Sequence, residues 1–273
     1  MLETNAKFDV IGIGNAIVDV LVHADDGFLE AEGLTKGAMA LISAEEAGYL
    51  YEKVGPAVEY SGGSAANTIA GIASFGGQTA FIGKIRDDQL GEVFSHDIRA
   101  LGVRFDSLAA DEGAATARCL ILVTPDAQRT MNTFLGACIE LGPEDVDPSL
   151  IEGAKVTYLE GYLWDPPRAK DAFRKAVEIA HGAGRKVALT LSDAFCVDRY
   201  RDEFRALVAG GVDIVFANEA ELLSLYEVTS FDEGLQAIRG DCEVAALTRG
   251  EKGSVIVSGD QVHVIDAAPV ARL

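Results

Sequence analysis

Short apolar runs and longer amphipathic stretches alternate along almost the whole sequence, and this rhythm constrains the fold more than any other feature. Residues 8–13, 79–83, 155–159, 186–191, 212–217 and 243–247 are rich in Val, Ile, Leu and Phe and have the length of buried strands. Helical patterning fills the intervals at 88–101, 168–181, 197–208, 219–226 and 231–239. Local signals agree with this division. Ser43-Ala-Glu-Glu46 reads as a capping box opening a helix through about Lys53, and Gly76-Gly77 and Gly102 stop the helices before them. Repeated strand–helix–strand units predict an α/β fold with a mostly parallel central sheet flanked by helices. With 273 residues, 49% of them apolar, the chain has ample material for a full-sized core.

Two segments break the rhythm. Residues 116–124 and 128–134 are β-rich and meet at the turn Pro125-Asp126, so a hairpin is expected there. Together with 18–23 and 38–42 it predicts a small separate sheet, drawn from about 15–42 and 114–136. A second hairpin is expected at 254–258 and 261–265, around Gly259-Asp260. No repeat, low-complexity tract or linker interrupts the chain. The expectation is one domain over 1–273 carrying a small β-sheet, with ligands at the carboxyl ends of the large sheet's strands.

Composition narrows the partners. A formal charge of −20 lacks the basic footprint of a nucleic-acid binder, although a local pocket of donors could still hold a nucleotide. No apolar run approaches the roughly 20 residues that span a bilayer. The start, MLETNAKFDV, has no basic segment followed by an apolar one, so no signal peptide is read there. Cys119, Cys138, Cys196 and Cys242 lack metal spacing and read as reduced thiols of a cytoplasmic protein.

The stretch Ser61-Gly-Gly-Ser-Ala-Ala-Asn67, closed by Gly76-Gly77, runs from glycines into a helix. Such an entry often means that the backbone approaches an anion, yet no Lys-Ser or Lys-Thr follows and the P-loop is excluded. Gly12-Ile-Gly14-Asn-Ala-Ile17 suggests a dinucleotide fingerprint, and with it a nicotinamide-dependent oxidoreductase. It lacks the third glycine, and a strand follows it rather than a helix. Asp19 is a carboxylate in an otherwise apolar strand, placed either to bind hydroxyls or to face solvent. Asn67, one turn into its helix, can offer a polyol both donor and acceptor. Tyr162 and Trp164 follow a strand end, where they can stack on a base or pack against the next helix.

Four of these stretches, in order, resemble the ribokinase-like family, the phosphofructokinase-B-type sugar and nucleoside kinases. Gly62-Gly63-Ser-Ala-Ala-Asn67 is similar to its first signature. Phe81-Ile-Gly83-Lys84-Ile-Arg86-Asp87-Asp88-Gln-Leu-Gly91 resembles its Gly-Lys/Arg-x-Gly-x-Asp-x-x-Gly segment, with Arg86 where glycine is usual. Asn218-Glu219-Ala-Glu221 resembles its Asn-x-x-Glu motif, and Thr248-Arg249-Gly250-Glu-Lys-Gly253 its nucleotide-binding turn. The resemblance covers essentially the whole chain. It implies an ATP-dependent kinase with Mg²⁺ as cofactor, acting on a primary hydroxyl of a small-molecule nucleoside or furanose sugar. The small sheet becomes a lid hinged at Gly62-Gly63, and Asp19, Gly62, Gly63, Asn67 and Arg129 become acceptor-binding residues. Asn218, Glu221, Thr248, Arg249, Gly250 and Gly253 would line the nucleotide cleft, with Glu221 acting on the metal through water. Lids in this family also imply a possible homodimer. Thr133-Phe-Leu-Gly136-Ala137 looks like the matching stretch of adenosine-kinase-like members and tilts the acceptor toward a nucleoside.

One motif of the pattern is missing. After the last hairpin the family has Asp-Thr-x-Gly-Ala-Gly-Asp, whose glycines bind anionic oxygens at a helix N-terminus and whose final Asp takes the acceptor's proton. Here Asp266-Ala-Ala-Pro-Val-Ala-Arg-Leu273 stands at that point. The expectation is that no catalytic base lies within 1–273 and that the base aspartate lies beyond Leu273. The alternatives are a ribose- or fructose-type sugar kinase and a non-catalytic ligand-binding relative.

Overall fold

The computed structural model describes residues 6–269. The first five residues, read above for a leader, and the last four of the Asp266–Leu273 segment lie outside the described residues. In chain order, β1 (Phe8–Ile13) is followed by β2 (Ile17–His23), α1 (Asp26–Ala31), β3 (Met39–Leu41), α2 (Ala44–Lys53) and β4 (Val58–Gly62). Next come α3 (Ser64–Ser74), β5 (Thr79–Ile82), α4 (Gln89–Ala100), β6 (Val103–Arg104), β7 (Ala117–Val123) and β8 (Arg129–Phe134). The second half holds α5 (Pro148–Glu152), β9 (Ala154–Glu160), α6 (Pro167–Gly182), β10 (Lys186–Thr190), α7 (Ala194–Gly211) and β11 (Ile214–Asn218). It ends with α8 (Glu219–Tyr226), α9 (Phe231–Ile238), β12 (Val244–Thr248), β13 (Ser254–Ser258) and β14 (Gln261–Ile265).

The large sheet has the order β14-β13-β12-β11-β10-β9-β1-β5-β6. It is parallel except where β13 runs antiparallel to β12 and β14. One face packs against α5 to α9 through Phe173, Phe204, Leu222 and Leu235. The other face packs against α3 and α4, where Phe81, Phe94 and Phe105 meet at centroid separations of 5.3–6.1 Å. Truncating one of these rings to alanine should cost about 3–5 kcal/mol. Gly12 and Gly14 serve this packing. A Cβ on Gly12 would stand 2.5 Å from Ile69 Cγ1, and one on Gly14 would stand 2.6 Å from the Ala65 methyl. The glycines therefore admit α3 onto β1, and the strand β2 follows them. This removes the basis for a dinucleotide fingerprint.

Cover on that second face ends near β10, where Ala188 is still buried. On β11 to β14 the same face presents Phe216, Ala246, Ile256 and His263 in one row and Asn218, Thr248, Ser254 and Ile265 in the next. Phe216 and Ile265 are exposed.

The small sheet has the order β3-β8-β7-β2-β4. Four of its strands fall within the predicted segments. The fifth, β4, was hidden in sequence because Val-Glu-Tyr-Ser-Gly is short, half polar and continuous with the glycine run. One face of this sheet is covered by its own helices, with Ala47 and Leu50 of α2 against Leu120, and Leu29 of α1 near Val18, Val20 and Val22. Among the described residues no helix is long and apolar enough to cross a membrane.

Candidate active site

The chain passes from the large sheet to the small one at Gly14–Ala16 and returns at Gly62–Ser64. Gly63 sits at the return with φ of +98°, and any Cβ there would collide with the carbonyl oxygen of Asn15. Both the left-handed backbone and the close approach demand glycine. Gly62 makes room for a different reason. A Cβ at Gly62 would run into the Asp19 carboxylate from β2.

Ladder register places Asp19 in a row with Tyr60, Cys119, Thr133 and Leu41, on the face of the small sheet that α1 and α2 leave open. The next row along the strands is Val58, Leu21, Ile121, Met131 and Met39. The face is thus an apolar field, with Tyr60 52% and Leu41 57% exposed, around one carboxylate. Among the described residues no protein group donates a hydrogen bond to Asp19, and burial alone pushes its carboxyl up to about 6. Beside it the Thr133 hydroxyl donates to Cys119 Sγ at 3.2 Å.

The glycine run meets an anion of the protein's own. The N-terminus of α3 is occupied by the protein's own Glu160, the last residue of β9, which is 1% exposed. Its Oε2 accepts from the Asn15 backbone amide (2.6 Å) and from Asn15 Nδ2 (3.0 Å). Its Oε1 accepts from the Ser64 hydroxyl and the Ala65 amide, the latter at 3.2 Å. Burial pushes the Glu160 carboxyl up, against the four donors that pull it down. Sequence reasoning missed both Glu160 and Asn15, since an acid in Tyr-Leu-Glu-Gly-Tyr gives no sign of the donors it will meet.

A second group gathers at the carboxyl ends of β11 and β12, where Asn218 and Thr248 are register partners. Asn218 caps α8, its Oδ1 accepting from the Glu221 amide at 2.9 Å. Glu221 reciprocates, accepting from the Asn218 amide at 3.0 Å and from Asn218 Nδ2 at 2.6 Å. Glu221 is buried, and desolvation raises its carboxyl. Arg249 is gripped by both oxygens of Glu219, at 3.2 and 3.3 Å, and lies 3.9 Å over the Phe231 ring. Gly250 and Gly253 have φ of +58° and +82°, and a Cβ on Gly253 would collide with the Ile265 carbonyl. Among the described residues no cluster of three His, Cys, Asp or Glu could hold a metal. Since both Glu221 oxygens are already bonded, this donor set suits Mg²⁺ only through water and phosphate oxygens, its usual mode.

Asp19, Gly62, Gly63 and Asn67 therefore come together where the chain returns from the small sheet, beside its open face, with Asn67 exposed on α3. Asn218, Glu221, Thr248, Arg249, Gly250 and Gly253 come together on the large sheet. Arg129 joins neither group. It pairs with Val123 in the row of His23, two rows from Asp19 and about 13 Å along the strands. Trp164 cannot stack on a ligand. It is 2% exposed, packs against Phe173 and Phe204, and donates to Glu203 at 3.2 Å. Lys84 and Asp88, in the second family-like segment, are bonded within the protein. Lys84 pairs with Asp145 at 3.0 Å, while Asp88 caps α4 and accepts from the Thr116 amide and hydroxyl at 2.9 and 2.7 Å.

Comparison with known proteins agrees with this architecture. The crystal structure of adenosine kinase from Sinorhizobium meliloti is 57% identical with a TM-score of 0.89, over 98% of this chain and 82% of that one. A probable sugar kinase from Rhizobium etli CFN 42 is 52% identical with a TM-score of 0.89, over 97% and 81%. Among curated relatives, the 5-dehydro-2-deoxygluconokinase of Shouchella clausii is 29% identical over 80% of this chain and 62% of its own length. The fructokinase of Solanum tuberosum is 26% identical over 70% and 59%. The chain thus spans about three fifths of the length of these two curated relatives. Residues 33–272 match the pfkB family carbohydrate kinase domain, and with a match over most of its length the chain belongs to that family.

Proposed function

We propose that the protein is an ATP-dependent kinase whose acceptor is a ribonucleoside of the adenosine type. The observation that carries the reading is the open face of the small sheet, where one carboxylate, Asp19, without a partner among the described residues, stands among Leu41, Tyr60, Met131 and Ile121. A free sugar carries hydroxyls around its whole rim and needs polar partners on every side. A nucleoside has a hydroxylated ribose edge joined to a flat base, which suits a single acceptor set in an apolar field. The likeness to the Sinorhizobium adenosine kinase supports the same acceptor.

On this reading Asp19 accepts from the ribose hydroxyls, while Asn67 and the backbone at Gly63 orient the sugar. Closure of the lid about Gly62-Gly63 brings the apolar rows onto the base and excludes water from the transfer. Asn218, Thr248 and the Gly250–Gly253 turn hold the nucleotide. Glu221 would hold Mg²⁺ through water, and the ion would supply charge neutralisation during transfer. Glu160 and Glu221 have both oxygens bonded by protein donors, so neither takes the acceptor's proton.

The sugar-kinase reading is favoured by the curated relatives, whose names are those of sugar kinases. A binding panel separates the two. Stabilisation and heat of binding with adenosine but not with ribose or fructose supports the nucleoside; the reverse replaces it with a sugar. Binding without ADP release in the presence of Mg²⁺-ATP supports a ligand-binding relative. Two lids could also pair through their open faces, which sedimentation with and without adenosine would reveal as a dimer.

A further inference from the structure

The Glu160 carboxylate lies where two of the chain's crossings between the sheets come together. Asn15 is where the chain leaves β1 for the lid, and Ser64-Ala65 is where it returns into α3. We propose that Glu160 is a positioning residue, a buried latch that joins the outgoing and returning crossings and so fixes the pivot about which the lid turns. This rests on the reading of the small sheet as a lid.

The geometry is specific to a carboxylate. All four partners donate, two to each oxygen: the amide and Nδ2 of Asn15 to Oε2, and the Ser64 hydroxyl and Ala65 amide to Oε1. An ionised Glu accepts on both sides, whereas a Gln of the same shape accepts on one side and donates on the other. The Ser64 hydroxyl could turn to accept from Gln Nε2, but a backbone amide cannot. One side of the latch must then open. The surroundings leave the carboxylate little room to shift, since a Cβ on Gly14 would stand 2.8 Å from its Oε2. Because Asn15 O also lies against Gly63, the latch sets the position of that glycine, and through α3 the position of Asn67. The third crossing is held separately, by Asp88 on Thr116 at the start of β7.

Two variants test this, Glu160→Gln and Ser64→Ala, the second removing a single donor should the first fail to fold. In the ligand-free protein, Glu160→Gln is expected to speed amide hydrogen exchange at Asn15 and Ala65 about tenfold or more, leaving β10 to β12 unchanged. Ser64→Ala should act in the same direction at Ala65 and by less. With adenosine and ATP as probes, adenosine affinity should fall about tenfold while ATP affinity stays within about twofold. The latch is overturned if Asn15 and Ala65 exchange as in the parent protein. It is equally overturned if exchange quickens evenly across β10 to β12, or if both ligands weaken together, since those results mark a general structural role. Where the parent protein binds no adenosine, the acceptor reading falls, and the exchange data alone decide the latch.

Discussion

The molecule has two open sheet faces, and they differ in one respect. The open face of the small sheet and the β11–β14 end of the large sheet are both rich in exposed apolar side chains, Tyr60 and Leu41 on the first and Phe216 and Ile265 on the second. The small sheet's face contains Asp19, half-buried and, among the described residues, without a protein donor. The rows on the other contain Asn, Thr, Ser, Gln and one His, with no carboxylate, Lys or Arg. Apolarity by itself marks a surface that requires cover of some kind. A carboxylate kept in such a surface at the cost of its own desolvation marks one that requires a particular partner.

The largest test of this contrast is Asp19→Asn. Adenosine binding should weaken about 100-fold or more in calorimetry, because the ribose hydroxyls lose a charged acceptor. Stability should move the other way, rising by about 1–3 kcal/mol in urea unfolding at pH 7.5 as a buried charge is removed. A variant that binds as before, or that is merely less stable, would reduce the lid face to ordinary packing.

Gly63→Ala follows in size. The positive φ and the clash with Asn15 O should cost about 2–3 kcal/mol, read as a fall in the unfolding free energy. Gly102→Ala, also at positive φ but with nothing within 4 Å of its Cβ position, should cost less, about 1 kcal/mol.

The pH dependence is smaller and has a definite sign. Folding raises the Asp19 carboxyl from 3.8 to about 6, so the native state holds that proton more tightly than the unfolded chain. Its ionisation therefore lowers stability progressively as pH rises through that window, with no further change above it. Acceptor affinity should run oppositely, falling about tenfold for each pH unit below about 6, and Asp19→Asn should flatten both profiles. The smallest effect is expected on the other face. Phe216→Ser should change unfolding free energy by no more than about 1 kcal/mol and leave adenosine affinity unchanged.

The fold was legible in sequence where periodicity and caps were strong. The capping box of α2, the helices at 219–226 and 231–239 and both hairpins fall where patterning placed them. β4 was not legible, because a five-residue strand with alternating polar residues differs little from the loop it enters. The non-helical Tyr200 inside α7, with φ of −130°, left no breaker residue to find. At the site, the glycines could be located but their purpose could not. Gly62 is needed for the bulk of Asp19, and Gly63 for a carbonyl forty-eight residues earlier in the chain. Such demands exist only once the two crossings are brought side by side. Glu160 was unreadable on the same grounds, and Trp164 was misleading because its place after a strand end is also a place in the core.

The exposed rows on the open face of the small sheet have a calorimetric consequence. If adenosine draws the lid down, Met39, Leu41, Tyr60 and Met131 leave water together, and removal of apolar surface from water lowers heat capacity. Acceptor binding should then become steadily more exothermic on warming, whereas nucleotide binding to the open protein should show a much flatter temperature dependence. The slope of enthalpy against temperature would report how far the lid travels, without any label on it.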